Sequence, residues 1–245
     1  QHHAVITHDL TAHDLVELVL QQREFTRQRL QLVVRNHADL RVLERHGIAG
    51  VAVVGDAVQP EQFAVQAIPG AKLQVIEALD GQLITNRLSL EPRAEEGVVV
   101  SDPTRDVLKL VVVNRYSKAP PAVAFIKSFG LSSGAMASSV AHDSHNVIAV
   151  GASDDDIASA VNAVMDAGGG LAAVNHVQGD HWVLPLPVAG LMATGTCAEV
   201  GHAYQELDAA VKRWGSTLRA PYMTLSFMAL LVIPALKLSD KGLFD

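Results

Sequence analysis

Two imidazoles, a carboxylate, a hydroxyl and an amide stand at five consecutive positions: His142, Asp143, Ser144, His145 and Asn146. An alanine- and serine-rich, strand-like run at 136–140 and an apolar run at 147–150 flank them. Side chains that accept protons or ligate metals rarely crowd between two core strands unless something polar is held there. Three kinds of chemistry fit the spacing. His142 and His145, with Asp143 as a third ligand, would share a metal ion if the backbone between them turns tightly. The loop would otherwise reach a ligand and supply hydrogen bonds or a proton relay. In the third reading Asp143 and Asn146 satisfy the backbone donors of their own loop. The residues leave all three open.

Elsewhere the polar positions read more simply. Arg105 and Asp106, after Asp102-Pro103, fit a turn closed by its own side chains, and Asp240-Lys241-Gly242 fits another. Asp154, Asp155 and Asp156 open a helix, where acidic groups complement the positive end of the helix dipole without any cation. His176, His181 and His202 are expected at the surface. Met223, Phe227 and Met228 are expected in a helix core.

The elements that would position the histidine loop are hairpins. Runs 72–77 and 83–88 have β character and meet around Asp80-Gly81, a strong hairpin dipeptide. Runs 107–113 and 122–126 form a second pair, and 136–140 with 146–150 a third, with the loop at its connection. Successive hairpins imply an antiparallel sheet, because parallel neighbours need long crossovers. Helical periodicity follows over 154–167, 199–214 and 222–231. At the other end, residues 1–56 read as a helical arm. Thr11 caps a stripe of Leu15, Leu18 and Val19, a second helix ends at Gly47, and 50–55 reads as a short strand. The expected fold is α+β, mainly antiparallel β-sheet with packed helices, divided into a helical N-terminal arm (1–56) and an α+β domain (57–245).

Composition excludes several classes. The chain has 245 residues, 49% of them hydrophobic, which is ample for a core. A net charge of −7 and 4% aromatics leave neither the basic face nor the stacking platforms of a nucleic-acid binder. The single cysteine, Cys197, allows no internal disulfide and no thiolate zinc site. The apolar run 225–236 is broken by Pro234 and falls short of the roughly 20 residues of a bilayer span. No basic segment followed by an apolar one begins the chain. A cytoplasmic setting without nucleic-acid or membrane partners is expected.

Several stretches, in one order, carry a family resemblance. They are Gly81-Gln82-Leu83-Ile84-Thr85, the run 101–109 leading into Val113-Asn114-Arg115-Tyr116, Phe129-Gly130-Leu131, and the loop 142–146. Gly168-Gly169-Gly170-Leu171, the run 184–192, Met223-Thr224-Leu225-Ser226-Phe227 and the run 236–243 complete the set. Over about three quarters of the chain this pattern resembles the C-terminal part of the bacterial adenine deaminases of the amidohydrolase superfamily. The resemblance implies hydrolytic deamination of adenine to hypoxanthine and ammonia. It also implies a divalent metal such as manganese, iron or zinc, held by a (β/α)8 barrel. Such a barrel takes about 250 residues by itself, and the chain has no His-x-His pair to announce it. The expectation is therefore an accessory domain, not catalytic alone, with the metal bound elsewhere. A purine-like ligand, a partner carrying the barrel, or a second copy in a homo-oligomer are the partners it implies. The alternative is a non-catalytic purine-binding or oligomerisation module.

Overall fold

The computed structural model describes residues 57–245, so the expected helices and strand of residues 1–56 lie outside the described residues. Strands β1 (Val65–Gln66), β2 (Leu73–Ala78), β3 (Thr85–Leu90), β4 (Ala94–Glu95) and β5 (Val98–Val99) come first. Then follow β6 (Val107–Val113), β7 (Ala122–Lys127), β8 (Ala135–Ser138) and β9 (Val147–Gly151). Helix α1 (Asp154–Asp166) precedes β10 (Gly170–Asn175) and β11 (Asp180–Pro185). Helices α2 (Cys197–Arg213) and α3 (Pro221–Phe227) and a closing hairpin, β12 (Lys237–Ser239) and β13 (Gly242–Phe244), end the chain.

Eight strands form the main sheet in the order β11-β10-β8-β9-β6-β7-β2-β3. All three expected hairpins are present and antiparallel: β2 with β3, β6 with β7, and β8 with β9. One pair departs from the hairpin pattern. β2 runs parallel to β7, with Val75 opposite Phe125 and Ile76 opposite Ile126. The fold is α+β and mainly antiparallel, as the sequence leads one to expect.

Strand β6 explains the layering. All seven of its residues are buried, and its sequence shows no polar alternation. A strand buried on both faces needs apolar cover on both sides. Leu108, Leu110 and Val112 join a core with Leu207 and Val211 of α2, Trp214, and Leu225 of α3. Val111 and Val113 join a second core with Ile157, Val161 and Val164 of α1. The sheet is thus the middle of three layers. The polar exception on β6, Lys109, is fully buried and donates to Asp154 (2.6 Å) and to the Phe63 carbonyl (3.0 Å).

Local chemistry sets the helix ends. The Ser153 hydroxyl caps α1 by accepting from the Asp156 N–H. Thr196 and Glu199 form a reciprocal capping box, which starts α2 at Cys197, two residues ahead of the position read from periodicity. Helix α3 stops at Phe227 instead of running to Leu231. Just past its end the Met228 carbonyl accepts from Leu238 of β12, so the chain leaves the helix to meet the last hairpin. Met228 is buried as expected, but Met223 is 53% exposed and does not belong to the core. It lies on the face of α3 turned away from the sheet.

The turn at 102–106 is closed by its own side chains, as the sequence suggests. Asp102 accepts from the Thr104 hydroxyl (2.6 Å) and Arg105 Nε (2.5 Å), and these bonds hold its carboxyl down to about 2. Asp106 adopts left-handed backbone (φ 53°) and its carboxylate accepts from the Ser128 and Gly130 N–H groups (2.8 and 2.7 Å). Asp240 and Lys241 connect β12 to β13. His176, His181 and His202 are all at the surface. Among the described residues, no helix is long and apolar enough to cross a membrane.

Candidate functional site

The loop 142–146 joins β8 to β9 at one end of the sheet. Its backbone is tied down on both sides. The His142 N–H donates to the Ser226 carbonyl of α3 (3.0 Å), and the His145 N–H donates to Ala141 (2.6 Å). Asn146 is buried, and its Oδ1 accepts from the Arg115 N–H (3.3 Å). The His142 ring stacks on Phe227 (centroids 5.0 Å apart, planes at 26°) and meets the His145 ring edge-on at 5.6 Å. Asp143 and Ser144 are exposed, and the Ser144 hydroxyl accepts from the Asn146 N–H (3.5 Å).

Arg115, at the end of β6, holds this loop to another. Its Nη2 donates to Tyr116 Oη (3.0 Å) and to the Ala189 carbonyl (2.8 Å), while Tyr116 Oη donates to the Ser144 carbonyl (2.8 Å). Loop 186–192 is fixed in turn by Ser139, whose hydroxyl donates to the Gly190 carbonyl (2.6 Å) and accepts from the Gly170 N–H (2.8 Å). Gly190 leaves room for the guanidinium: a Cβ there would lie 2.0 Å from Arg115 Nη1. Arg115 is only 2% exposed, and no carboxylate among the described residues pairs with it. Its Nε and Nη1, together with His145 Nδ1, are buried without a hydrogen-bond partner. Burying a cation without a counter-charge is costly, so this corner of the fold is electrostatically strained toward anions and acceptor groups.

Burial is the main cause that lowers the His145 imidazole below its ordinary 6.5; His142 and Arg115 add to it and Asp143 opposes. The site therefore presents a neutral imidazole at pH 7. A folded-state value below the unfolded one means the unfolded chain takes up its proton first on acidification. Stability from this group is complete above about pH 6.5 and is lost as pH falls through that value toward the folded one. His145→Asn keeps a residue that tolerates the left-handed backbone (φ 53°) while removing the titration. Urea midpoints at about pH 7.5 and about pH 5 should fall more steeply for the wild type than for the variant. Equal pH dependence would remove His145 from this role.

A metal shared by His142, His145 and Asp143, one of the three readings of the loop, does not fit this geometry. Among the described residues, no group of three or more His, Cys, Asp or Glu side chains is placed to hold an ion. His142 and His145 meet edge to ring, and His145 Nδ1 is turned into the protein. What the loop offers chemically is hydrogen bonding and an aromatic platform. Beside it lies a cleft of about 370 Å3, lined by Asp80, Gly81, Leu83, Arg219, Met223 and Phe227. Phe227 thus faces both the cleft and the His142 ring.

Sequence reasoning placed the loop but missed Arg115, Tyr116 and Ser139 as its supports. The available signal was an arginine two residues past a strand with six apolar residues in seven, too close to a two-sided buried strand to reach water freely.

The model of the adenine deaminase C-terminal domain matches residues 82–245. The chain belongs to this family. Adenine deaminase of Salinibacter ruber is 54% identical over 192 residues, covering 78% of the chain and 34% of that protein. That of Methanosarcina barkeri is 50% identical over 175 residues, 71% of the chain and 31% of that protein. That of Parabacteroides distasonis is 47% identical over 185 residues, 76% of the chain and 33% of that protein. The chain spans about a third of the length of these curated relatives. In this adenine deaminase C-terminal domain, Arg115, the loop 142–146 and loop 186–192 all fall within the matched residues, as do β3 and every element after it.

Proposed function

We propose that the chain serves hydrolytic deamination of adenine as an accessory domain, with the metal-bearing barrel lying outside residues 57–245. In that reaction water adds to the ring carbon bearing the amino group and ammonia leaves, giving hypoxanthine. The water has to be made nucleophilic near neutral pH, which a divalent metal does by lowering its pKa. The described residues hold no set of ligands for that ion, so the domain's part is different. The observation that carries the reading is the Arg115-held loop. It fixes His142, Asp143, Ser144 and a neutral His145 at the sheet end, beside an aromatic face and a cleft. Fixed donors and acceptors of this kind suit the ring nitrogens of a purine, and a pinned backbone costs nothing further to order on binding. The same reading makes the natural partner a barrel, within the same polypeptide or on another, in a cytoplasmic setting.

Adenine turnover is the test. Supplied with manganese, iron or zinc, the 245-residue chain alone should release no ammonia above the buffer rate. Mixed or fused with the barrel portion of a relative such as the Salinibacter ruber enzyme, it should support turnover that falls about 10²-fold or more in His142→Ala, if that side chain contacts the reacting purine. Turnover by the chain alone would place the metal within it and overturn the assignment. Light scattering over a dilution series separates a homo-oligomer from a monomer that waits for its barrel.

A further inference from the structure

On the sheet face covered by α1, three side chains meet in the arrangement of an activated serine. Ser159 Oγ lies 3.3 Å from His176 Nε2, and His176 Nδ1 lies 2.8 Å from Asp156 Oδ1. We propose that Ser159, His176 and Asp156 form a nucleophilic site that accepts the acyl group of small carboxylic esters.

The sequence builds it from two neighbouring elements. Asp156 and Ser159 are three residues apart on α1 and so share one helix face. His176 opens the turn between β10 and β11, and its N–H donates to Asp156 Oδ1 at 2.9 Å, which fixes where the ring stands. Asp156 is only 4% exposed, and its other oxygen accepts from the Ser153 hydroxyl at 2.7 Å. The buried carboxylate lies beside Nδ1 and so favours the tautomer with its proton there, which leaves Nε2 to accept from Ser159. This is the geometry a general base needs: nucleophile to base, and base to an orienting group.

The space in front of the serine is suited to a small ester. Ser159 and His176 both line an open cleft of about 460 Å3, together with Pro60, Ala158, Gln59 and Asn162. Asn162 stands three residues beyond Ser159 on the helix, and its Nδ2 gives one N–H to the Val58 carbonyl at 2.9 Å. A primary amide has two, so a second donor remains for a developing oxyanion. In the reaction, Ser159 Oγ bonds to the ester carbonyl carbon as its proton passes to His176 Nε2. The carbon–oxygen bond to the alcohol then breaks, and the alcohol leaves with that proton. Water attacks the acyl-serine by the same route in reverse, releasing the acid and restoring Ser159.

The full 245-residue chain, mixed with p-nitrophenyl acetate, tests this directly. A burst of nitrophenolate followed by slow turnover is expected, with peptide mapping after acid quench placing acetyl on Ser159. Ser159→Ala should abolish that adduct, and both it and His176→Gln should lower the burst rate about 10²-fold or more. Ser159 is partly exposed and His176 exposed, so both variants should melt as the wild type does. Acetyl found only on His176 or on lysines, an unchanged rate in Ser159→Ala, or no release above buffer would each overturn the proposal.

Discussion

Trp214→Ala is expected to cost about 3–5 kcal/mol of unfolding free energy, the range for removing a fully buried large aromatic. Trp214 is 1% exposed and follows directly on α2, where its ring belongs to the core that also holds Leu207, Val211 and Leu225. The fold makes space for it: a Cβ on Gly134 would approach the Trp214 ring to 2.9 Å. Its Nε1 donates to Asp180 at the start of β11 (3.2 Å), and its carbonyl accepts from both the Ser132 N–H (2.8 Å) and hydroxyl (2.7 Å). The ring therefore joins α2 to the edge of the sheet. Trp214→Phe keeps most of the apolar volume and loses the bond to Asp180, whose side chain is partly exposed, so water replaces it at a cost of about 1 kcal/mol for the bond itself. Urea unfolding gives both values, with the slope unchanged if the transition stays two-state. A loss below about 1 kcal/mol in Trp214→Ala would mean that the core closes over the gap.

Much of this fold was legible because its decisive signals are local. Asp80-Gly81 marks a hairpin by itself, and Val107 to Val113 reads as a strand whatever surrounds it. Three consecutive aspartates, Asp154 to Asp156, mark the start of α1. What was illegible is decided between distant segments. The parallel pairing of β2 with β7 leaves no trace in either strand, because Val75 and Ile76 would pair equally well with any apolar neighbour; β7 offers β2 the edge that its hairpin with β6 leaves open. The end of α3 departs from its periodicity for the same reason. Residues 222–231 carry no helix breaker, and the stop comes from Leu238 claiming the Met228 carbonyl.

The candidate site divides along the same line. Five adjacent polar residues between apolar runs are visible in sequence, and the structure keeps them together. Their roles are not uniform, however. Asn146 is buried and accepts from the Arg115 N–H, a donor outside the loop, and the Ser144 hydroxyl accepts from the Asn146 N–H (3.5 Å), while Asp143 is exposed. Arg115 escaped notice because an arginine after a strand usually turns its charge to water. Here Gly190, 75 positions away, lets the guanidinium fold inward instead. A glycine remote in sequence thus decides whether the charge beside His145 is buried or solvated.

That closeness gives the second large effect: Gly169→Ala should cost about 3 kcal/mol or more. Gly169 has φ +116°, a conformation that side-chain-bearing residues adopt only under strain worth about 1–3 kcal/mol. Its Cβ would also lie 2.3 Å from the Gly190 Cα and 3.2 Å from Ser139 Oγ. The first of these is backbone and cannot rotate away, which adds about 1–3 kcal/mol of overpacking. Gly168 is the internal control, since it has φ +71° but nothing within 4 Å of where an alanine methyl would stand, so Gly168→Ala carries the backbone strain alone. The gap between the two variants measures the close approach of the two loops. Relief of the clash has one direction open, outward movement of residues 189–190, and Arg115 is bonded to the Ala189 carbonyl at 2.8 Å. The displacement should therefore reach Tyr116 and the Ser144 carbonyl, loosening the histidine loop in Gly169→Ala but not in Gly168→Ala. Amide exchange across residues 142–146 reads this separately from global stability. Equal losses and equal exchange in the two variants would show that loop 186–192 does not support the site.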